Sequence, residues 1–465
     1  MKKSGNGIKI LLIIIPLILG VIGFAVLAKE PILDSIFKCI TMYVLNYGDV
    51  PPNALVEIAR WLAPFATVGA AVMVIQNLRY RIINRVRAGR SVSVAVYGEE
   101  EQKKELQDEI GKNLIFTENK PVQAANHILM WDEEKNFQFL NTHKERLSGS
   151  EVYIKCESIS SQTMLENGAN IHLFSSEETA ARLFWKENCL YEISARNQHK
   201  MKLVLISFGS LGEELLIRGI QNNIFSPDQK IEYHIFGEEN GFLKIYHELD
   251  NMEDRIIFHN DKWYDNIELL EESSMLIVVE QKDQVNLVHK IVLSTVNPLV
   301  TVFTSGNLSR IAFSEEKRIV PFDWIKIASK LENIMGENLY KRAKAINQKY
   351  ADMYQGPSWE KLDTFTRYSN ISSSDYHEVR LKILEAMNKD SHNVEGDLLE
   401  LLSELEHMRW CRFHWINNWK LGKPEDGSRK DRNSRIHTDL VPYAELSESE
   451  KQKDRENILT LLDIQ

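Results

Sequence analysis

Two apolar runs near the start of the chain constrain its fold most strongly. Residues 10–28 form an uncharged run of 19 residues, and a second apolar run covers residues 61–78. At about 1.5 Å per helical residue the first run spans roughly 28 Å, close to the hydrocarbon thickness of a membrane. Both runs are therefore predicted to be transmembrane helices. A cleaved signal peptide is the alternative for the first run, although the run is long for one and lacks a clear cleavage site.

The charges beside these runs predict their orientation. The flanking cations are Lys2, Lys3 and Lys9 before the first run and Arg79, Arg81, Arg85, Arg87 and Arg90 after the second. Positive charge next to a membrane span stays on the cytoplasmic side. Residues 1–90 are therefore predicted to form an α-helical hairpin in the cell inner membrane, with both chain termini in the cytoplasm.

The segment between the two runs is too apolar for a plain exposed loop. Residues 36–45 are predicted to form a short amphipathic or re-entrant helix, followed by Asn46-Tyr47-Gly48-Asp49. This order resembles the pore loop of two-helix potassium channels, whose filter ends Gly-Tyr-Gly-Asp. Asn46 stands where that filter has its first glycine, which argues against potassium selectivity because filter carbonyls need a permissive backbone. A tight turn with the same residues is the alternative.

The composition limits the classes of partner. A formal net charge of -10 argues against nucleic acid, whose phosphates are normally met by a basic surface. The four cysteines form no C-x-x-C pair, which argues against a zinc ribbon or a disulfide scaffold. No metal site and no catalytic residue is predicted.

Strand-like and helix-like segments alternate from residue 91 to residue 325, which is typical of α/β domains with a parallel sheet. The predicted strands fall into two sets of similar spacing: residues 92–97, 127–131, 151–156 and 170–174, then residues 202–206, 232–236, 255–258, 275–279 and 300–303. Two such sets predict tandem Rossmann-like domains, at residues 91–190 and 200–325.

The second of these domains carries the better candidate site. Ser207-x-Gly209-x-x-Gly212 follows a predicted strand and is a dinucleotide-binding fingerprint with serine in the first place. Its glycines would let a phosphate approach a helix N-terminus, while Glu238 and Glu239 would hold ribose hydroxyls. A purely structural turn is the alternative. In the first domain Gly98 is followed by three glutamates that would repel phosphate, so that domain is interpreted as structural.

Residues 256–293 resemble the Trk-type RCK domains that regulate potassium conductance. The resemblance rests on Asp261 before a helix, an apolar strand, and the segment Asp283-x-x-Asn286. It covers about residues 92–325 and implies a domain that binds a nucleotide or an ion, with Asp261 at the site, and gates a linked pore. An NAD(P)-dependent dehydrogenase of the same fold is the alternative.

Residues 326–375 are predicted to be a helical linker in which the polar stretch at residues 370–375 marks a turn or linker before the last domain. The final segment, residues 376–465, resembles the ryanodine-receptor repeat (RyR) domain, a small and mainly α-helical module. The matching positions are Glu406-His407, Trp410, Trp419, Gly422, His437, Leu440-Val441-Pro442-Tyr443, Leu446, Glu450-Lys451 and Asp454-Arg455. Thr438 stands where the family has proline.

The RyR resemblance implies a ligand site. Trp410 and Trp419 would stack on an adenine-type base, and Arg409 and Arg412 would meet phosphate. His437 and Tyr443 complete the predicted set. For each of these residues a packing role is the alternative, since Trp410, Trp415 and Trp419 recur at helical spacing.

The order of these parts predicts a ligand-gated membrane channel or membrane-acting effector, opened by a cytosolic nucleotide-type signal. The expected ligand is NAD, ATP, ADP or a nucleotide second messenger, and a role in bacterial stress or antiphage defence fits the domain association. Because two helices cannot enclose a polar path alone, a homo-oligomer, most simply a tetramer, is expected. The alternatives are a non-conducting, membrane-tethered sensor and a Rossmann enzyme, although the chain is not expected to be an enzyme.

Overall fold

The computed structural model describes residues 14–46, 53–112, 114–156, 170–304, 317–336 and 338–464. Residues 10–13 of the first predicted span, and Tyr47, Gly48 and Asp49 of the pore-like loop, lie outside these ranges. The chain divides into two compact units, Met1–Arg90 and Ser91–Gln465.

The first unit has three helices in its described part: α1 (Ile14–Leu27), α2 (Ile32–Met42) and α3 (Ala54–Ala88). Among described residues, only α3 is long and apolar enough to cross a membrane, and α1 is apolar but shorter. The predicted pair of spans is therefore not confirmed. Helix α2 occupies the intervening segment, beginning four residues before the predicted short helix.

Two glycines let α1 lie close to its neighbours. A Cβ at Gly20 would come within 2.6 Å of the Cys39 sulfur, and one at Gly23 within 2.5 Å of a Val56 methyl. Asn53 begins α3 by accepting the Val56 N–H at 3.0 Å, and its amide donates to the Gly23 carbonyl at 3.1 Å. Small residues at such crossings are typical of helix pairs in membranes.

The second unit contains two parallel sheets. The first sheet has the order β2-β1-β3-β4-β5. Its strands are β1 (Val94–Tyr97), β2 (Ile115–Thr117), β3 (Asn126–Leu129), β4 (Glu151–Lys155) and β5 (Ile171–Phe174). Helix α4 (Glu133–Leu147) accompanies it, with a 3-10 turn at Gln102–Leu106. Helices α5 (Ser176–Glu187) and α6 (Tyr191–Arg196) follow β5 in the chain and pack in the core of the second sheet.

The second sheet has the order β11-β10-β9-β6-β7-β8, the doubly wound arrangement of dinucleotide-binding folds. Its strands are β6 (Lys200–Ile206), β7 (Lys230–Phe236), β8 (Arg255–Phe258), β9 (Met275–Val278), β10 (Leu299–Thr304) and β11 (Ile319–Asp323). Its helices are α7 (Gly209–Asn222), α8 (Phe242–Ile245), α9 (Ile267–Glu272) and α10 (Gln284–Ser294), with 3-10 turns at His247–Asn251 and Trp263–Asp265.

All nine predicted strands are present in the two parallel sheets, and among the described strands of these sheets only β2 and β11 were missed. Strand β11 contains Pro321, which argues against a strand in sequence, but it lies at the sheet edge, where a missing N–H is tolerated. Strand β2 has only three residues, too few for a periodic pattern.

The rest of the second unit is mainly helical. It comprises α11 (Trp324–Ala328), α12 (Leu331–Ile334), α13 (Lys341–Tyr354), α14 (Thr364–Asp375), α15 (His377–Ala386), α16 (Gly396–Ile416) and α17 (Glu448–Leu462), with 3-10 turns at Trp359–Lys361 and Tyr443–Glu445. A small three-stranded sheet of β12 (Lys420–Leu421), β13 (Lys430–Asp431) and β14 (Ile436–His437) lies between α16 and α17 in the chain. One hydrophobic core contains residues of both the second sheet and α16 and α17, so these parts fold as one body.

The turn or linker predicted at residues 370–375 is wrong, because these residues end the continuous helix α14. Their hydroxyls help to satisfy a buried ion triad in which Glu406 binds both Arg380 and Arg409. Ser372 accepts from Arg409 at 2.9 Å. Burial alone would raise the pKa of Glu406, but Arg409 and Arg380 outweigh it and lower this pKa to about 2. The serines thus belong to the core.

Three buried histidines, His127, His377 and His414, are held neutral in the folded chain. Burial lowers the pKa of His127 to about 4 and the pKa values of His377 and His414 to about 3. The unfolded chain binds these protons near pH 6.5, so below that pH it holds more protons than the folded chain. Stability is therefore lost as the pH falls from about 6.5 toward the folded pKa values.

We predict that the free energy of unfolding of the full chain in detergent falls between pH 6.5 and pH 5 by about 1.4 kcal/mol per pH unit for each of these histidines. In His414→Asn the amide can still donate to the Trp410 carbonyl, as the ring nitrogen does at 2.8 Å. In urea unfolding, the free energy of unfolding of this variant should depend less steeply on pH, by the contribution of one histidine, about 1.4 kcal/mol per pH unit. His392→Asn, at an exposed position, should leave the slope unaltered, and an unchanged slope in His414→Asn would contradict the assignment.

Candidate functional site

The main candidate site lies at the carboxyl edge of the second sheet. The chain runs from β6 to β7 and β8 on one side and from β9 to β10 and β11 on the other. Strands β6 and β9 are neighbours, with Leu203 opposite Met275 and Ile206 opposite Val278. In open α/β sheets a crevice forms where the direction of winding reverses, at the carboxyl ends of the strands. The sheet topology therefore creates this site.

The turn after β6 leads directly into α7. Ser207 and Gly209 both adopt left-handed backbone conformations, with φ of 71° and 58°. Between them the ring of Phe208 turns inward and packs edge-on against Phe242 and Phe258, with centroids 5.6 and 5.1 Å apart. The ring fixes the turn, so that the free N–H groups of the α7 N-terminus lie at the sheet edge.

Two further glycines accommodate Phe208. A Cβ at Gly212 would lie 3.0 Å from the Phe208 ring, and one at Gly237 would lie 2.8 Å from the Phe208 Cβ and 2.9 Å from its backbone nitrogen. Gly212 therefore packs against its own turn, and Gly237 lets the end of β7 approach that turn. Gly237 was missed in the sequence, where its only signal is a glycine directly after a predicted strand.

The predicted acidic residues follow the next two strands. Glu238 is exposed after β7, whereas Glu239 accepts the Leu243 N–H at 3.3 Å and so also caps α8. Asp261 follows β8 and accepts from the Asn266 amide at 2.7 Å. That hydrogen bond lowers the pKa of Asp261, with a smaller contribution from His259, so this carboxylate is charged.

These residues surround a cleft of about 880 Å³. Ser207, Glu238, Glu239 and Asp261 line it, whereas Gly209 and Gly212 shape the turn beside it without lining it. The charged lining residues are the lysines Lys262, Lys282 and Lys290 and the acids Glu238, Glu239, Asp261, Glu280 and Asp283. The cleft therefore carries more negative than positive charge.

A histidine pair that was missed in the sequence flanks the cleft. His259 lines it, and its Nε2 lies 2.9 Å from Nδ1 of His234. The Phe236 ring stacks on His259 with centroids 4.5 Å apart. Burial lowers the pKa of His234, which disfavours its charged form. The pair forms a hydrogen-bonded wall of the cleft, and its two members lie in and directly after adjacent strands, which sequence spacing does not reveal.

The residues predicted from the RyR resemblance do not form one site. Arg409 pairs with Glu406, and Trp419 is buried against Phe365, with ring centroids 5.2 Å apart. Trp410 is flanked by His407 and His414 at 5.6 and 3.9 Å. His407 is stacked on the Trp410 ring and His414 is tilted against it, and Trp410 lines a cavity of about 410 Å³ together with Arg409.

The remaining predicted residues are also engaged. His437 meets the Trp410 ring edge-on, with centroids 4.9 Å apart, and the Tyr443 hydroxyl donates to Glu400 at 3.1 Å. In the first unit Asn46 follows α2, and its N–H donates to the Thr41 carbonyl at 3.1 Å. Within the described ranges, no group of three or more His, Cys, Asp and Glu side chains is arranged to hold a metal ion.

Arg412, which was predicted to bind phosphate, is engaged in contacts within the protein. Its guanidinium is buried and pairs with the buried Asp254 at 2.8 Å. It also donates to the Ile220 carbonyl in the last turn of α7 at 3.0 Å. Cations at a helix C-terminus are favoured by the free carbonyls and the helix dipole. Arg412 therefore joins α16 to the end of α7 opposite the cleft.

The comparisons with known proteins agree with the RyR prediction for the C-terminal segment. Residues 389–464 match the RyR domain family. No curated protein matches the chain.

Similar solved structures include a GsuK channel bound to NAD, at 9% identity over 73% of this chain and 84% of that chain, with a TM-score of 0.36. GsuK bound to ADP is 12% identical over 72% of this chain and 96% of that chain, with a TM-score of 0.35. The apo D-lactate dehydrogenase from Escherichia coli is 9% identical over 56% of this chain and 97% of that chain, with a TM-score of 0.22.

We predict that Arg412→Met lowers the free energy of unfolding by about 3–5 kcal/mol, because it leaves the Asp254 carboxylate buried without its cation. Urea unfolding followed by tryptophan fluorescence of the full chain in detergent measures this loss. The double variant Asp254→Asn, Arg412→Met should recover part of it. Wild-type stability of Arg412→Met, together with loss of nucleotide binding, would restore the phosphate-binding role.

Proposed function

We propose that this chain is a membrane-anchored regulatory protein that binds a nucleotide-type ligand in the cleft of the second sheet. The observation that carries the proposal is the convergence, at one switch point, of the α7 N-terminus with Ser207 and the exposed carboxylate of Glu238. A helix N-terminus suits phosphate, and an acid after the second strand suits ribose hydroxyls.

The charges of the cleft select among nucleotides. Five carboxylates and three lysines line it. A nucleoside triphosphate concentrates several negative charges at one end and would be repelled by the excess of carboxylates. A dinucleotide such as NAD carries fewer charges, spread along a body rich in hydroxyls that carboxylates can bind. We therefore propose NAD or a related dinucleotide as the ligand, in preference to ATP.

The output is proposed to be the membrane unit. In this proposal α3 and the apolar run at residues 10–28 cross the inner membrane, and both chain termini are cytoplasmic. Because the backbone of a span must be satisfied within the membrane, a conducting path needs a ring of helices and hence a homo-oligomer, most simply a tetramer. Ligand binding can open such a path only if the open state binds the ligand more tightly.

Two other functions would share the same cleft. A tethered sensor would bind the ligand and conduct no ions. A dehydrogenase would turn over NADH with a substrate, and the His234–His259 pair beside the cleft is the feature that favours this alternative. Turnover and flux assays separate these functions from a channel.

We predict that the full chain in detergent binds NAD more tightly than ATP in titration calorimetry. Glu238→Gln should weaken NAD binding by about tenfold or more, because it replaces a charged acceptor of ribose hydroxyls with a neutral one. Glu268→Gln, at an exposed position of α9 outside the cleft lining, is the matched control. Equal affinities for NAD and ATP, or equal effects of the two substitutions, would contradict the assignment.

A further inference from the structure

A second cavity of about 410 Å³ lies within the helical part of the second unit. Residues of α13, α14, α16 and α17 line it, together with the loop before α14 and strand β13. Its polar lining includes the carboxamides Asn347, Asn370 and Asn457 and the cations Lys361, Lys430 and Arg432. None of these six residues belongs to the cleft of the second sheet.

The cavity is positively charged within a chain whose net charge is -10. Four cations and two carboxylates line it, and both carboxylates already have partners. Glu406 is held by Arg380 and Arg409, and Asp363 is held by Arg432. Lys361 and Lys430 are exposed and pair with no carboxylate in the described parts of the chain. Two cations at the cavity are therefore available to an anion.

One of the residues that line this cavity carries an unsatisfied polar atom. Asn457 projects from α17, and its carbonyl oxygen is buried without a hydrogen-bond partner among the described residues. Buried polar atoms are nearly always paired, and an unpaired one is costly. If the Asn457 side chain turns toward the cavity, a ligand with a hydroxyl or amino group supplies the missing donor.

From these contacts we infer that the cavity is a second ligand site, which takes a phosphorylated small molecule of about mononucleotide size. Its phosphate lies between Lys361 and Lys430, where charge-assisted hydrogen bonds form. Its hydroxyl or amino groups face Asn347, Asn370 and Asn457. The bound molecule bridges α13 and α14 to α16 and α17. This site is independent of the cleft at the second sheet and of the function proposed for that cleft.

The test uses AMP as the probe and the full chain in detergent, with thermal stabilisation measured at constant ionic strength. The double variant Lys361→Glu, Lys430→Glu should need at least about tenfold more AMP for the wild-type shift, because two charged contacts are reversed. Lys423→Glu, at an exposed lysine of the same segment outside the cavity, should retain the wild-type response. Glu238→Gln, a substitution in the cleft, should also retain the AMP-dependent stabilisation that Lys361 and Lys430 support, which separates this site from the cleft.

Asn457→Leu provides a second test that does not depend on surface charge. It removes an unsatisfied amide and fills part of the cavity, so the variant should fold at least as stably as the wild-type chain while losing most of the AMP response. If both variants are stabilised by AMP as strongly as the wild-type chain, the cavity is not a phosphate-binding site. The same conclusion follows if AMP stabilises neither the wild-type chain nor the variants.

Discussion

The buried ion pair between Arg412 and Asp254 is the interaction on which the arrangement of the second unit depends. Both oxygens of the Asp254 carboxylate accept a further hydrogen bond, one from the Ile231 N–H at 2.9 Å and one from the Gln229 amide at 3.0 Å. A buried charge of this kind persists only with its partner. This ion pair therefore holds the RyR segment (residues 389–464) against the second sheet. The hydrophobic core that the two parts share keeps the pair buried.

Helix α7 connects this interaction to the candidate site. Its N-terminus lies at the cleft, and its last turn receives Arg412 from α16. A ligand at the cleft and the RyR segment thus act on opposite ends of one rigid element of about 21 Å. Coupling between two sites needs an element whose state both of them bias. Helix α7 is the candidate for such an element, because it begins beside the cleft and its last turn contacts Arg412.

Much of the fold could be predicted because buried parallel strands are continuous apolar runs that stand out in sequence. The acidic residues of the cleft could also be predicted from the sequence, since they follow strands at the spacing of a known fingerprint. The rest depends on tertiary contacts. Ser372 and Ser373 are polar in sequence but pair with buried arginines. Arg412 stands beside aromatic residues in sequence, while its partner, Asp254, lies far away in the chain, between β7 and β8. No local pattern distinguishes such an arginine from a phosphate ligand.

The most direct test of the account is ligand-dependent ion flux through the full chain reconstituted in liposomes. We predict that NAD raises the flux in wild-type protein and that Glu238→Gln, at equal protein density, needs a higher NAD concentration for the same flux. Flux that is absent at saturating NAD, in a protein shown by calorimetry to bind it, would contradict the proposed channel and leave a tethered sensor or an enzyme.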